Sequence, residues 1–213
     1  MKQDFYYPSK DNLTQIHAIE WIPETEIKAV LQIAHGMVEF IDRYDRFARF
    51  LNTQGFYVVG NDHLGHGQSV RDESELGYFA KHEGNFCVLG DMKQLHDDTK
   101  KKYPDVPYFI LGHSMGSFLV RQYIEKYPDG LDGAIVMGTG YQPMVTLDLG
   151  IAMTATLQKT NGSHYRSEVV NNTALGSYNK AFEPARTKCD WLTKDEEIVD
   201  AYIANPLNQF MFT

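Results

Sequence analysis

One serine has the spacing of an activated nucleophile, in the segment Gly112-His113-Ser114-Met115-Gly116. The apolar run Tyr108 to Leu111 precedes it, and apolar residues at helical spacing follow it until a proline ends them. This pattern predicts that Ser114 lies at a sharp turn between a buried strand and a helix. Glycine at 112 and 116 suits such a turn, because bulky side chains two positions from the serine would clash with the strand and the helix.

A serine in this position, a nucleophile elbow, is set up for acyl transfer. Its hydroxyl is exposed at a helix N-terminus, where free N–H groups and the positive end of the helix dipole stabilise a developing oxyanion. The alternative is a turn serine with a structural role only. The strand before Ser114 and the helix after it favour the nucleophile.

Composition excludes several other classes of protein. The net charge is −8 and there is no basic block, which argues against nucleic acid as a partner. The only cysteines are Cys87 and Cys189, which indicates a reduced, cytoplasmic setting. We find no zinc spacing, phosphate-binding loop, signal core or membrane-spanning run, so we expect no metal, no cofactor and no targeting segment.

Apolar runs and helical patterns alternate through the first two thirds of the chain. Alternation of this kind predicts an α/β fold, with a mostly parallel sheet and helices on both faces. We assign residues 1–140 to this core and residues 141–213 to a helical cap over the carboxyl ends of the strands. The predicted strands are 13–22, 27–34, 56–59, 108–111 and 134–137, and the predicted cap helices are 145–158, 168–182 and 195–204.

The cap begins with a stretch, Met144 to Leu157, that is apolar nearly all round but holds Asp148. It is too short to span a bilayer. We consider two functional roles for it, lining an acyl pocket or making peripheral contact with a membrane surface. The alternative is a helix buried between cap and core, because a helix that is apolar on all sides is usually interior.

Several motifs together resemble the α/β-hydrolases of the lysophospholipase and monoacylglycerol lipase type, which are grouped with serine aminopeptidase-like hydrolases. The resemblance covers almost the whole chain and implies the α/β-hydrolase fold. The motifs are His35-Gly36-Met37, the loop Asp62-His63-Leu64-Gly65-His66-Gly67-Gln68-Ser69, the elbow, Asp190-Trp191-Leu192-Thr193 and Asp200-Ala201-Tyr202.

The resemblance also implies roles for single residues. Ser114 is the expected nucleophile, and the backbone N–H groups of Met37 and Met115 are the expected oxyanion hole. Both donors suit the chemistry, because one follows the nucleophile and the other comes from a loop after an early strand. Two groups of polar residues are expected to shape and pack their loops rather than to catalyse: His35 and His113 beside these positions, and Asp62, His63 and His66 in the loop that begins at Asp62.

A serine hydroxyl needs a base and an orienting carboxylate, which in this family follow the cap. The only histidine after Ser114 is His164, inside the predicted cap. The late core strands are absent too, which would leave the strand from Ala134 as an exposed apolar edge. We therefore expect the chain to be the N-terminal part of a longer hydrolase. A partner chain that supplies the missing strands is a weaker alternative.

The leading interpretation is a serine hydrolase that cleaves carboxylic esters of fatty acyl groups through an acyl-enzyme on Ser114. The substrate class, monoacylglycerol or lysophospholipid, is implied by the resemblance alone, and peptides and other esters stay open. The second interpretation is a non-catalytic α/β-hydrolase-like protein that binds a ligand or partner under its cap. Acyl length, head group and oligomeric state stay open.

Overall fold

The computed structural model describes all 213 residues, and they form two compact units. The first comprises residues 1–75 and 79–141, and the second comprises residues 76–78 and 142–213. All strands lie in the first unit. They are β1 (Lys2–Pro8), β2 (Gln15–Trp21), β3 (Ala29–Ala34), β4 (Phe56–Asn61), β5 (Tyr108–His113) and β6 (Gly133–Met137); its helices are α1 (Asp45–Thr53), α2 (Gly84–Lys102) and α3 (Met115–Lys126).

The six strands form one mixed sheet in the order β1-β2-β4-β3-β5-β6. Strands β4, β3, β5 and β6 are parallel, and β2 and β1 continue the sheet antiparallel at one side. Every residue of the central strand β3 is buried, as expected of a continuous apolar run covered on both faces. The predicted fold class, a mostly parallel sheet covered by helices, is confirmed.

Apolar side chains pack in two clusters, one on each face of the sheet. Val30 and Leu31 are neighbours in β3 but belong to different clusters, because successive side chains of a strand point to opposite faces. Val30 packs in the cluster with Met92 of α2 and Val120 of α3, and Leu31 packs in the one with Ala48 of α1. The carboxyl ends of β3 and β5 are thereby held between two helical layers.

The two outer strands differ most from the sequence-based predictions. Strand β1 was missed, because it is an edge strand with only Tyr7 buried and therefore lacks a clear apolar pattern. At the other side, the predicted last strand is present as β6. It forms the outer edge, with Ile135 and Met137 47% and 45% exposed, as expected for a sheet without further strands there.

The second unit contains helices α4 (Met144–Asn161), α5 (Glu168–Leu175) and α6 (Glu196–Ala204). The predicted helix over 168–182 is wrong in extent, because α5 ends at Leu175 and a separate 3₁₀ turn covers Tyr178–Phe182. No residue of α4 is buried. The alternative of a buried helix for this stretch is therefore wrong. None of the helices has the length and hydropathy that crossing a membrane requires.

Candidate active site

Ser114 lies between the last residue of β5 and the first residue of α3, in a strained backbone conformation. Its φ and ψ are 52° and −116°, a region that costs a non-glycine residue about 1–3 kcal/mol. The peptide is held from both sides, since Ser114 N–H donates to the Met137 carbonyl at 3.0 Å and Ser117 N–H donates to the Ser114 carbonyl at 2.9 Å. The Ser114 side chain is half-buried, and its hydroxyl makes no hydrogen bond within the chain.

The two elbow glycines lie where backbone segments approach closely. A Cβ on Gly116 would overlap the carbonyl oxygens of Ala34 and His35, at the end of β3. A Cβ on Gly112 would overlap the carbonyl of Gly116 and lie 2.7 Å from Cγ2 of Val120. Glycine at both positions therefore lets α3 begin directly against the ends of β3 and β5.

The two backbone donors expected for an oxyanion hole belong to the helix that begins after Ser114 and to the loop after β3. Met115 is the first residue of α3, where the N–H has no intrahelical acceptor. Met37 is in the loop after β3, and its N–H has no backbone acceptor either. This loop passes close to the elbow, because a Cβ on Gly36 would lie 3.2 Å from Cβ of Ser114.

A buried carboxylate, which the sequence analysis missed, occupies the same loop. Glu39 is 6% exposed. It accepts hydrogen bonds from the Gly36 N–H, from the Tyr44 hydroxyl at 2.9 Å and from Arg43 Nη1 at 2.7 Å, and His113 Nδ1 lies 3.3 Å from it. The available signal in the sequence is an acid three residues after the His35-Gly36 pair and four residues before an arginine.

The environment keeps this carboxylate ionised. Burial alone would raise the pKa of Glu39, but its hydrogen bond with His113 and the charge of Arg43 outweigh burial, and the pKa lies below its ordinary value. A buried carboxylate that accepts several hydrogen bonds is tightly held, because each bond is stronger in a low dielectric. Glu39 is therefore a fixed, negatively charged acceptor beside the elbow.

His35, His63 and His66 are fully buried and contact one another. The ring centroids of His35 lie 4.2 Å from His63 and 5.2 Å from His66. Burial lowers the pKa of all three, to about 3 for His63 and about 4 for His66. His35 donates from Nδ1 to the Gly36 carbonyl at 2.7 Å and accepts the His63 N–H on Nε2 at 2.9 Å. With both nitrogens occupied, neutral His35 has none left to take a proton from serine.

The loop from 62 to 69 is organised around the Asp62 carboxylate. This group accepts the N–H groups of Ile41 at 2.7 Å and Gln68 at 2.8 Å, and it pairs with His17 Nδ1 at 2.8 Å. His17 Nε2 in turn lies 3.0 Å from Asp4. Burial would lower the pKa of His17, but the two carboxylates outweigh burial and raise the pKa above its ordinary value.

This pair predicts a pH dependence of stability. Because the pKa of His17 is higher in the folded chain than in the unfolded one, its contribution is fully present below about pH 6.5 and is lost as pH rises through the folded-state pKa. We expect the free energy of unfolding to fall as pH rises above about 6.5 and through the raised pKa of His17. A His17→Gln variant should lack this part of the slope in urea titrations, and a variant of an exposed histidine, His82→Gln, should keep it. Equal slopes in all three proteins would contradict the assignment.

The only histidine after the elbow, His164, lies in the second unit. Its ring stacks on Tyr78 with 4.0 Å between centroids, and its Nδ1 is 3.2 Å from Ser163 Oγ. Next to it, Arg166 donates to the carbonyls of Met211 at 3.1 Å and Leu76 at 2.8 Å. These contacts tie residues 76–78 to the last residues of the chain within that unit.

Comparison with known proteins finds a matching family model and similar chains. The family model Hydrolase_4, described as serine aminopeptidase, S33, matches residues 25–213. Monoglyceride lipase of Mus musculus is 29% identical over 187 residues, covering 88% of this chain and 54% of that protein. Monoacylglycerol lipase of Mycolicibacterium smegmatis is 27% identical over 193 residues, covering 88% and 59%. The chain thus spans little more than half the length of these relatives.

Solved structures show the same fold. A highly thermostable carboxyl esterase from Bacillus coagulans, solved in complex with glycerol, matches 99% of this chain and 67% of its own, with a TM-score of 0.89 and 27% identity. A soluble variant of monoglyceride lipase from Saccharomyces cerevisiae matches 97% of this chain with a TM-score of 0.70 and 16% identity, which bears on the fold alone. The predicted α/β-hydrolase fold is confirmed, and the chain belongs to the serine aminopeptidase (S33) family, Hydrolase_4.

Proposed function

We propose that this chain carries the nucleophile of a serine hydrolase that cleaves carboxylic esters of fatty acyl groups. One observation carries the proposal: Ser114 is held in a strained turn with its hydroxyl unpaired, and the next residue and the neighbouring loop after β3 each carry a backbone N–H without an acceptor. Backbone strain and unsatisfied donors are costly, and they cluster where a protein binds or transforms a ligand.

In the proposed reaction, the Ser114 hydroxyl attacks the ester carbonyl and loses its proton to a general base. The negative charge that develops on the carbonyl oxygen is stabilised by the N–H groups of Met37 and Met115. Collapse of the tetrahedral intermediate expels the alcohol, which takes up a proton, and leaves the acyl group on Ser114 Oγ. Water then attacks the same carbonyl and releases the carboxylic acid.

Two observations support a fatty acyl substrate. The similar proteins include lipases of monoglycerides and a carboxyl esterase. Helix α4 exposes large apolar side chains, which suit an acyl chain or the surface of a membrane. These side chains include Met144, Val145, Leu147, Leu149, Ile151 and Met153.

Labelling with a fluorophosphonate probe tests the proposal. We would compare this 213-residue chain with the product of the whole reading frame that encodes it, each with and without Ser114→Ala, and map the modified peptide. Labelling at Ser114 in either wild-type protein, lost in the variant, supports the nucleophile. A label only on the product of the whole frame would place the activating groups outside residues 1–213.

Absence of labelling in every protein, with all of them folded, would overturn the hydrolase. The second interpretation, a ligand- or partner-binding protein without turnover, would then replace it.

A further inference from the structure

The Glu39 carboxylate contacts both chain segments that supply the candidate oxyanion hole, through the Gly36 N–H in the loop and through the His113 side chain before the elbow. We propose that Glu39 is a positioning residue, which holds the loop after β3 against the elbow so that the Met37 N–H faces the carbonyl attacked by Ser114. The inference rests on the proposed function and adds to it a residue whose role lies outside the triad and the hole itself.

On the loop side, the Glu39 side chain bonds to the backbone three residues before it and so stabilises a tight turn. Its Oε1 accepts the Gly36 N–H, and fixing that peptide restricts the orientation of the Met37 N–H one residue later. The turn is conformationally costly, because the β-branched Val38 adopts a φ of 55°. A conformation of this kind persists only when surrounding contacts stabilise it. The hydrogen bond between the Glu39 carboxylate and the Gly36 N–H is such a contact.

On the elbow side, the same carboxylate oxygen lies 3.3 Å from His113 Nδ1, and His113 precedes the nucleophile. The Tyr44 hydroxyl closes the group, 2.9 Å from Glu39 Oε1 and 3.2 Å from His113 Nδ1. Gly36 lies between the two sides, since a Cβ there would be 2.7 Å from Glu39 Oε1 and 3.2 Å from Ser114 Cβ. One carboxylate therefore sets the distance between the loop and the elbow.

A second glutamate provides a matched control. The Glu20 side chain is 12% exposed, and the Glu39 side chain is 8% exposed. Like Glu39, Glu20 accepts hydrogen bonds from a tyrosine hydroxyl and from a cation: the Tyr57 hydroxyl and Lys102 Nζ, the latter at 2.8 Å. It lies on β2 and contacts neither the loop after β3 nor the elbow. Variants of Glu20 thus reproduce the loss of a buried charged network without touching the proposed oxyanion hole.

The experiment compares Glu39→Ala, Glu39→Gln, Glu20→Ala and Glu20→Gln in the product of the whole reading frame, with Ser114→Ala as background. Hydrolysis of p-nitrophenyl octanoate is followed below the melting temperature of each variant. We expect Glu39→Ala to lower kcat by about 100-fold with little change in KM, because a misplaced donor weakens binding of the transition state only. Glu39→Gln should restore much of the loss, since its amide oxygen still accepts the Gly36 N–H.

The Glu20 variants should stay within about 2-fold of the wild-type kcat, a change too small to indicate lost transition-state binding. Equal losses in the Glu39 and Glu20 variants, or a wild-type kcat in Glu39→Gln and Glu39→Ala, would overturn the positioning role while Ser114→Ala still abolishes hydrolysis. If Glu39→Ala does not fold, Glu39→Gln decides: a lowered kcat at unchanged KM supports the positioning role, and a wild-type kcat or a change in KM alone overturns it. Hydrolysis that survives Ser114→Ala, or none in the wild type, would overturn the proposed function and this inference with it.

Discussion

Replacing Ser114 by glycine is expected to abolish ester turnover and at the same time to make the chain more stable. Loss of a serine nucleophile that acts in a triad lowers kcat by about 10⁶-fold. Glycine adopts a φ of 52° without the steric cost that a side chain carries. The stability gain should therefore appear only with glycine, and Ser114→Ala, which loses the same hydroxyl, should keep the strain.

Urea unfolding of the 213-residue chain measures the stability difference. Strain at such a position costs about 1–3 kcal/mol, and glycine removes it. Glycine also loses more backbone entropy on folding, which offsets part of this gain. We therefore expect the free energy of unfolding of Ser114→Gly to exceed that of Ser114→Ala by about 1 kcal/mol. Turnover of p-nitrophenyl esters is measured in the product of the whole reading frame. Ser117→Ala is the matched control, because the Ser117 hydroxyl donates to the Ser114 carbonyl at 2.5 Å and has no part in the proposed reaction.

Ser117→Ala should lose about 1 kcal/mol of stability with its hydrogen bond and keep turnover within about ten-fold, a small loss beside that of the nucleophile. If Ser114→Gly is no more stable than Ser114→Ala, the turn is not strained by its side chain. The elbow would then lack the energetic signature of a site maintained for function, although its sequence pattern would remain.

Sequence patterns predicted the centre of the fold better than its edges. Strand β3 is buried on both faces, and its continuous apolar run is readable without any knowledge of its neighbours. Strand β1 buries only Tyr7 and exists because it pairs with β2 along its whole length, from Lys2 opposite Trp21 to Pro8 opposite Gln15. Such pairing depends on residues far apart in the chain, which local periodicity does not encode.

The same distinction applies to the site. The glycine spacing around Ser114 is local and pointed to the turn that the structure contains. Glu39 was not recognised, because its importance comes from contacts that only the folded chain brings together: with Gly36, Arg43 and Tyr44 nearby in sequence, and with His113 from 74 residues away. A lone acid after a His-Gly pair looks like a solvated loop residue until β3 and β5 are placed side by side.

Replacing Gly116 by alanine is expected to be the most destabilising change at the elbow. The added Cβ would overlap the carbonyl oxygens of Ala34 and His35, which belong to the backbone at the end of the central strand and cannot rotate away. Overpacking usually costs about 1–3 kcal/mol, and a clash with backbone lies at or above the upper limit, so we expect a loss of about 3 kcal/mol. Urea or thermal unfolding of the 213-residue chain measures it.

Gly150→Ala is the matched control, because Gly150 lies in α4 and a Cβ there meets nothing within 4 Å. Alanine in an exposed helix is favoured over glycine by about 0.5–1 kcal/mol, so this variant should gain stability. If Gly116→Ala lowers the free energy of unfolding and Gly150→Ala raises it, the loss at Gly116 is due to the close approach of α3 and β3. A loss below about 1 kcal/mol at Gly116 would fall short of ordinary overpacking and contradict that close approach.

The two elbow glycines should also depend on each other. A Cβ on Gly112 would overlap the carbonyl of Gly116 itself, so relief of either clash requires α3 to move away from the sheet. Once Gly116→Ala has displaced the helix, Gly112→Ala finds part of the space already open. We expect the double variant to lose at least about 0.5 kcal/mol less than the sum of the single losses, which is the behaviour of residues that share one backbone shift. Additive losses would instead mean that each clash is relieved locally, with α3 and the Met115 N–H left in place.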